Sequence, residues 1–219
     1  MTVKTLPAIL SVLAVIAGGL IASAFADFGP LSFHMATHIA AMNVVAPLLA
    51  VLVMGLGAPH SFSSRYWLWI GAGAQLLLLV AWHMPPLHHL LASSTVTSAI
   101  VGSVMMLAAL SFWLALLALL AQAEAAPWQA MLALMLNAKV ACLLGGILVF
   151  APHYVYAMVS HHAAMAPLDD QQLAGLLMLA VCPLSYVVAG IAVAAQMMAR
   201  LEREAATPAT MPQAGTVAR

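Results

Sequence analysis

The chain has 219 residues, of which 65% are hydrophobic and 5% charged, and its mean hydropathy is +1.08. A soluble domain carries roughly a quarter of its residues as charged side chains, so this composition excludes one and points to an all-α integral membrane protein. Six basic against six acidic residues leave no net charge and no basic surface for nucleic acid.

At about 20 apolar residues per crossing, the sequence predicts a single bundle over residues 1–199 with about six transmembrane helices, at 6–26, 34–56, 66–82, 96–122, 128–150 and 173–198. Residues 200–219 form a polar tail expected to be disordered. Ala24-Phe25-Ala26 before Asp27 has the form of a signal-peptidase site. The preceding apolar run exceeds the roughly 7–15 residues of a signal core, so an uncleaved first helix is expected, with cleavage as the alternative.

The second run, from His34, is interrupted by Pro47, which a membrane helix tolerates when neighbours satisfy the freed carbonyl. The third carries Tyr66, Trp67 and Trp69 at one end and Trp82 at the other, as aromatic belts do. It runs into Trp82-His83-Met84-Pro85-Pro86, where the proline pair is expected to stop the helix. The fourth and fifth runs follow with little between them, and Pro152 closes the fifth. Cys142 and Cys182 both lie in apolar runs and define no disulfide framework.

Counting Lys and Arg over short loops and tails gives the orientation. With both termini cytoplasmic, Lys4, Arg65, Arg200, Arg203 and Arg219 all fall inside. His34, His38, His83, His88, His89, His153, His161 and His162 then lie at the outer face, and only His60 lies inside. Three separate connections therefore contribute to one histidine-rich end.

His34 and His38 are one helical turn apart and share a face. Such a pair presents two imidazoles to one metal, and neighbouring thioethers suit a soft ion such as Cu(I). The alternative is two interfacial histidines bonded to water and headgroups. The candidate metal ligands are His34, His38 and His83, with His153 or His161 completing the set and Met35 and Met84 assisting. Asp169 to Gln172 precede the sixth predicted helix, where carboxylates complement the positive end of the macrodipole. Alternatively, Asp170 orients a ligand histidine through its free ring N–H, with Gln171 and Gln172 supporting. Within the membrane, Lys139 is costly unless paired or hydrated. Asn43, Cys142 and Cys182 lie at similar depths, about 12–14 Å in by helical rise for the two thiols, which permits an inner polar or thiolate site beneath the histidines. Small buried cysteines filling gaps are the plainer alternative.

Three stretches, His34 to Ala50 (HMATHIAAMNVVAPLLA), Ala81 to Leu91 (AWHMPPLHHLL) and Asp170 to Met178 (DQQLAGLLM), resemble the signatures of polytopic CtaG-type cytochrome c oxidase assembly proteins. The resemblance covers most of the chain from His34 to about Val188, and His34, His38, His83, Asp170, Gln171 and Gln172 are the matching motif residues. It departs where the family tends to have Trp and then Pro-Gly soon after LAGL; here Leu179, Ala180 and Val181 intervene before Pro183. The resemblance implies a non-enzymatic multi-pass protein of the bacterial cell membrane that handles copper for a haem-copper oxidase, with an oxidase subunit as partner. Lipid is its surroundings, and homo-oligomerisation is left open. Competing readings are a membrane di-iron oxygenase or desaturase, for which the His83-to-His89 spacing is off, a copper transporter, and a bis-histidine haem protein.

Overall fold

The computed structural model describes residues 29–56, 65–91, 94–122, 127–156 and 165–206. The first predicted helix at 6–26, the loop carrying His60, the His161-His162 pair and residues 207–219 lie outside them. The elements are α1 (Pro30–Ile39), a π-helical segment (Ala40–Val45), α2 (Ala46–Gly55), α3 (Arg65–His83), α4 (Pro85–Leu91), α5 (Thr95–Leu120), α6 (Pro127–Phe150), α7 (Pro167–Ala180) and α8 (Cys182–Ala206). All of the described elements are helical, as the composition predicts. Five described stretches, Pro30–Gly55, Arg65–His83, Thr95–Leu120, Pro127–Phe150 and Pro167–Arg203, are long and apolar enough to cross a membrane.

The starts follow local chemistry. Pro30 and Pro167 occupy the first turn of α1 and α7, where a missing N–H costs nothing. Ser94 caps α5 by accepting from the Thr97 backbone N–H at 3.1 Å. At the opposite end of α5, the Arg200 guanidinium donates to the carbonyls of Leu120 and Gln122, a cation on a helix C-terminus.

Several predicted bounds shift. The helix bearing His34 begins at Pro30, so His34 and His38 sit inside it rather than at its entry. Pro47 does not interrupt that helix. The turn before it opens into a π-helix, where the Ala46 N–H reaches Ala41 O. In that register the missing Pro47 N–H would have served Met42 O, and the Trp113 indole N–H donates to that carbonyl instead, at 3.2 Å. The last predicted span starts earlier, at Pro167, and breaks at Val181, because Pro183 has no N–H to continue the ladder. Its second half runs to Ala206, well into the stretch expected to be disordered. The proline pair after Met84 does stop α3, but the chain turns straight into the short helix α4 instead of an open turn.

Packing places α5 against α2 and α3, α6 against α7 and α8, and α1 against α7. Close approach needs small residues where lipid gives no hydrophobic drive for association. A Cβ on Gly175 would meet the Gly145 carbonyl oxygen at 2.7 Å, and one on Gly71 would meet the Phe112 Cα at 2.8 Å. The α6–α7 and α3–α5 pairs therefore touch backbone to backbone. Phe112, Trp113 and Tyr186 fill the centre, with Trp113 and Tyr186 stacked at 5.8 Å.

The α1–α7 junction is the one that positions the histidines. Asp170 lies inside α7 and is buried, and its carboxylate accepts from the backbone N–H groups of Leu31 and Ser32, both at 2.9 Å. Ser32 Oγ donates to the same carboxylate and also lies 3.1 Å from the Asp170 carbonyl. Asp170 thus caps α1, the helix that carries His34 and His38, and not its own helix. Gly29 leaves room for this, since a Cβ there would run into the Asp170 carboxylate.

Candidate functional site

Four histidines from α1, α3 and α4 gather at one end of the bundle. The His34 and His38 rings meet edge to face at 4.3 Å, with their Nε2 atoms 2.9 Å apart. His88 stands edge-on to His34 at 5.7 Å, and Tyr156 lies against His88 at 4.8 Å. Trp82 stacks on His34 at 5.3 Å, and its indole N–H donates to His34 Nε2 at 2.5 Å. An indole nitrogen only donates, so His34 Nε2 is the bare nitrogen and its proton sits on Nδ1.

His83, 7% exposed, points the other way. Its Nδ1 lies 2.7 Å from the Leu79 carbonyl and donates to it. In the neutral ring that places the lone pair on Nε2. The Nε2 atom faces Met35 Sδ at 3.4 Å. Neither atom then carries a hydrogen, so two lone pairs face one another, as two ligands of one soft cation do. The Tyr156 hydroxyl holds the α3 terminus by donating to His83 O at 3.0 Å. Burial, and then the neighbouring Tyr154, push the Tyr156 hydroxyl up to about 12, so it keeps the proton it donates.

A groove of about 900 Å³ opens beside the cluster between α1 and α5, with His34, His38, Trp82 and His88 on its wall and Ser98 and Gly102 opposite. Among the described residues, no three His, Cys, Asp or Glu side chains converge as a metal site.

The predicted candidates divide. His34, His38, His83 and Met35 come together, with Met35 only 1% exposed. Met84, which the sequence groups with them, turns outward and is 48% exposed, because the Met84 bend separates α3 from α4. His153 is exposed, and among the described residues its backbone carbonyl lies 3.4 Å from Gln171 Nε2. His161 is outside the described residues. Among the described residues Asp170 hydrogen-bonds no histidine ring; it supports the helix bearing His34 and His38 through backbone amides. Gln171 is buried and clasps the chain after α6, accepting from the Val155 N–H at 2.7 Å and donating to Leu148 O at 3.2 Å. Gln172 is half-buried.

The inner group also splits. Asn43 and Cys182 are buried together, with Asn43 Nδ2 donating to Cys182 Sγ at 3.6 Å. Lys139 faces out from the bundle, and Cys142 is half-buried near Cys182 without hydrogen-bonding to the pair among the described residues. His88, Trp82 and Tyr156 belong to the cluster although none of them is among the predicted metal ligands. His88 had a signal in the His83-to-His89 run, and Trp82 was masked by its resemblance to a belt residue.

A family model described as cytochrome c oxidase caa3 assembly factor (Caa3_CtaG) matches residues 6–200. No curated protein and no solved structure gives a significant match.

Proposed function

Because this chain belongs to the cytochrome c oxidase caa3 assembly factor family, we propose that it holds copper at the histidine end of its bundle and passes it to an oxidase subunit in the same membrane. The observation that carries the copper reading is the pairing of bare donors: His83 Nε2 faces Met35 Sδ at 3.4 Å, beside the His34–His38 pair. Imidazole with thioether is a donor set that suits Cu(I), whereas a di-iron centre takes a richer shell of imidazoles and carboxylates.

Delivery needs a site that binds and releases. Trp82 donates to His34 Nε2, so copper entering at His34 displaces that indole, and the indole is at hand to displace copper again. The groove gives an incoming ligand room to approach, and exchange proceeds by adding the acceptor's ligand before His34 or His38 is lost. Copper keeps its charge throughout, so no redox partner is involved. Arg65, Arg200 and Arg203 lie at the end opposite the histidines, and by the positive-inside rule that end faces the cytoplasm. The histidines then open to the outer side of a bacterial cell membrane.

Cells lacking this protein are expected to assemble an oxidase with haem but with a lowered copper-to-haem ratio, restored by the wild-type chain and not by His34→Ala/His38→Ala. A full copper complement in the deletion strain would overturn the proposal.

A further inference from the structure

Further along α1 from His34 lies a second space of about 20 Å³, less open than the groove. A cavity of that size accepts a single water or a single ion. His83 and Met35 stand at its upper side, and Met42, Met178 and Cys182 line it further along. His38 lines both this cavity and the open groove, and is the one residue common to the two walls.

The donors are set there by features that the outer site does not need. The π-helical turn before Pro47 carries Met42 and Asn43, both buried. Extra-wide turns of this kind recur at functional sites. Asn43 donates to Cys182 Sγ at 3.6 Å and accepts from Ser185 Oγ at 2.9 Å, so its amide is fixed at both ends and fixes the thiol in turn. Cys182 sits where the chain restarts after the Val181 break, and Met178, 1% exposed, lies one turn before it. Three thioethers, a thiol and two imidazoles around one ion-sized space are more than packing requires.

Resting on the copper reading above, we propose that this cavity is an inner holding site for one Cu(I) ion, bound by the Cys182 sulfur with Met178 and Met42 and reached from the groove through His38. Binding replaces the S–H bond with a Cu–S bond. Cu(I) displaces the thiol proton, which leaves past His38 and His83 to water, and copper stays Cu(I). The Cu(I)–thiolate unit is neutral, which removes the cost of placing a bare ion in a low-dielectric interior. His38 hands copper inward or outward according to which side offers the stronger ligands, so the protein stores the ion away from water and oxidants between deliveries.

The test is an anaerobic Cu(I) titration of the full chain in detergent against a chromophoric Cu(I) chelator, with ultraviolet thiolate-to-copper absorption and proton release read together. Wild type is expected to bind two ions per chain, one of them with the thiolate band and one released proton. Cys182→Ser and, independently, Met178→Leu should remove or weaken the band-bearing ion and leave the other. Cys142→Ser should change nothing. In His34→Ala the band-bearing ion should persist, which separates this site from the outer one. Two ions and an unchanged band in Cys182→Ser would overturn the inner site while leaving the outer reading intact. A single band-bearing ion in both wild type and His34→Ala would do the reverse. Because Met178→Leu conserves volume, a loss seen there with unchanged thermal unfolding is not a folding defect.

Discussion

The double variant His34→Ala/His38→Ala is expected to lose rapid copper exchange with an external chelator, and its outer-site affinity should fall by more than the roughly 10–100-fold typical of losing a supporting group. The two Nε2 atoms lie 2.9 Å apart. With metal–nitrogen bonds of about 2.0 Å, that separation lets one ion bind both nitrogens with little movement. Removing the pair leaves His83 and Met35, whose donors face inward, without a route to the groove. Both rings are half-buried on a groove wall, but truncating His34 leaves the buried Trp82 indole N–H without its acceptor, so thermal unfolding should fall by the equivalent of about 1–3 kcal/mol. In Trp82→Phe/His34→Ala/His38→Ala the loss of affinity should be larger than this stability change explains. Competition titration at constant free Cu(I), with an unfolding curve recorded on the same sample, checks both halves. Unchanged affinity would remove these residues from the site.

Asp170→Ala is expected to be the most damaging single change for stability. The carboxylate satisfies two backbone N–H groups and the Ser32 hydroxyl in a buried setting. Each buried donor left without a partner costs about 1–3 kcal/mol, so the loss should reach about 3 kcal/mol or more. Asp170→Asn keeps one acceptor oxygen and should fall between. Gly29→Ala should resemble Asp170→Ala, because its methyl group takes the space of the carboxylate. All three changes release the start of α1 and with it His34 and His38, so copper affinity should decline in step with the unfolding temperature. If Asp170 instead oriented a histidine ring, copper affinity would fall with stability unchanged. Thermal unfolding and Cu(I) titration across the three variants decide between these outcomes.

Much of this was legible in the chain because hydropathy and proline positions alone mark membrane helices. The gathering of His34, His38 and His83 was legible for a related reason: alternating crossings must bring every second connection to the same end. Side-chain direction was not. Met35 and Met84 each adjoin a candidate histidine in sequence, yet one is buried against His83 and the other turns outward at a bend, which spacing does not distinguish. Lys139 invited an interior role by its depth, but depth says nothing of the face, and it points out of the bundle. Asp170 shows the same limit over a longer range. An acidic residue ahead of an apolar run reads as a cap for the helix that follows, and it caps one 138 residues away instead. The π-turn was also hidden, although Pro47 announced that some carbonyl nearby would need a new donor, which Trp113 supplies.

The most direct test of a copper-handling histidine end is elemental analysis of the protein purified from its own membranes, taken with its visible absorption spectrum. Copper bound to the wild-type chain, depleted in His34→Ala/His38→Ala, with no iron and no haem band, is the predicted result. Stoichiometric iron, a haem spectrum, or copper content indifferent to the two histidines would contradict it.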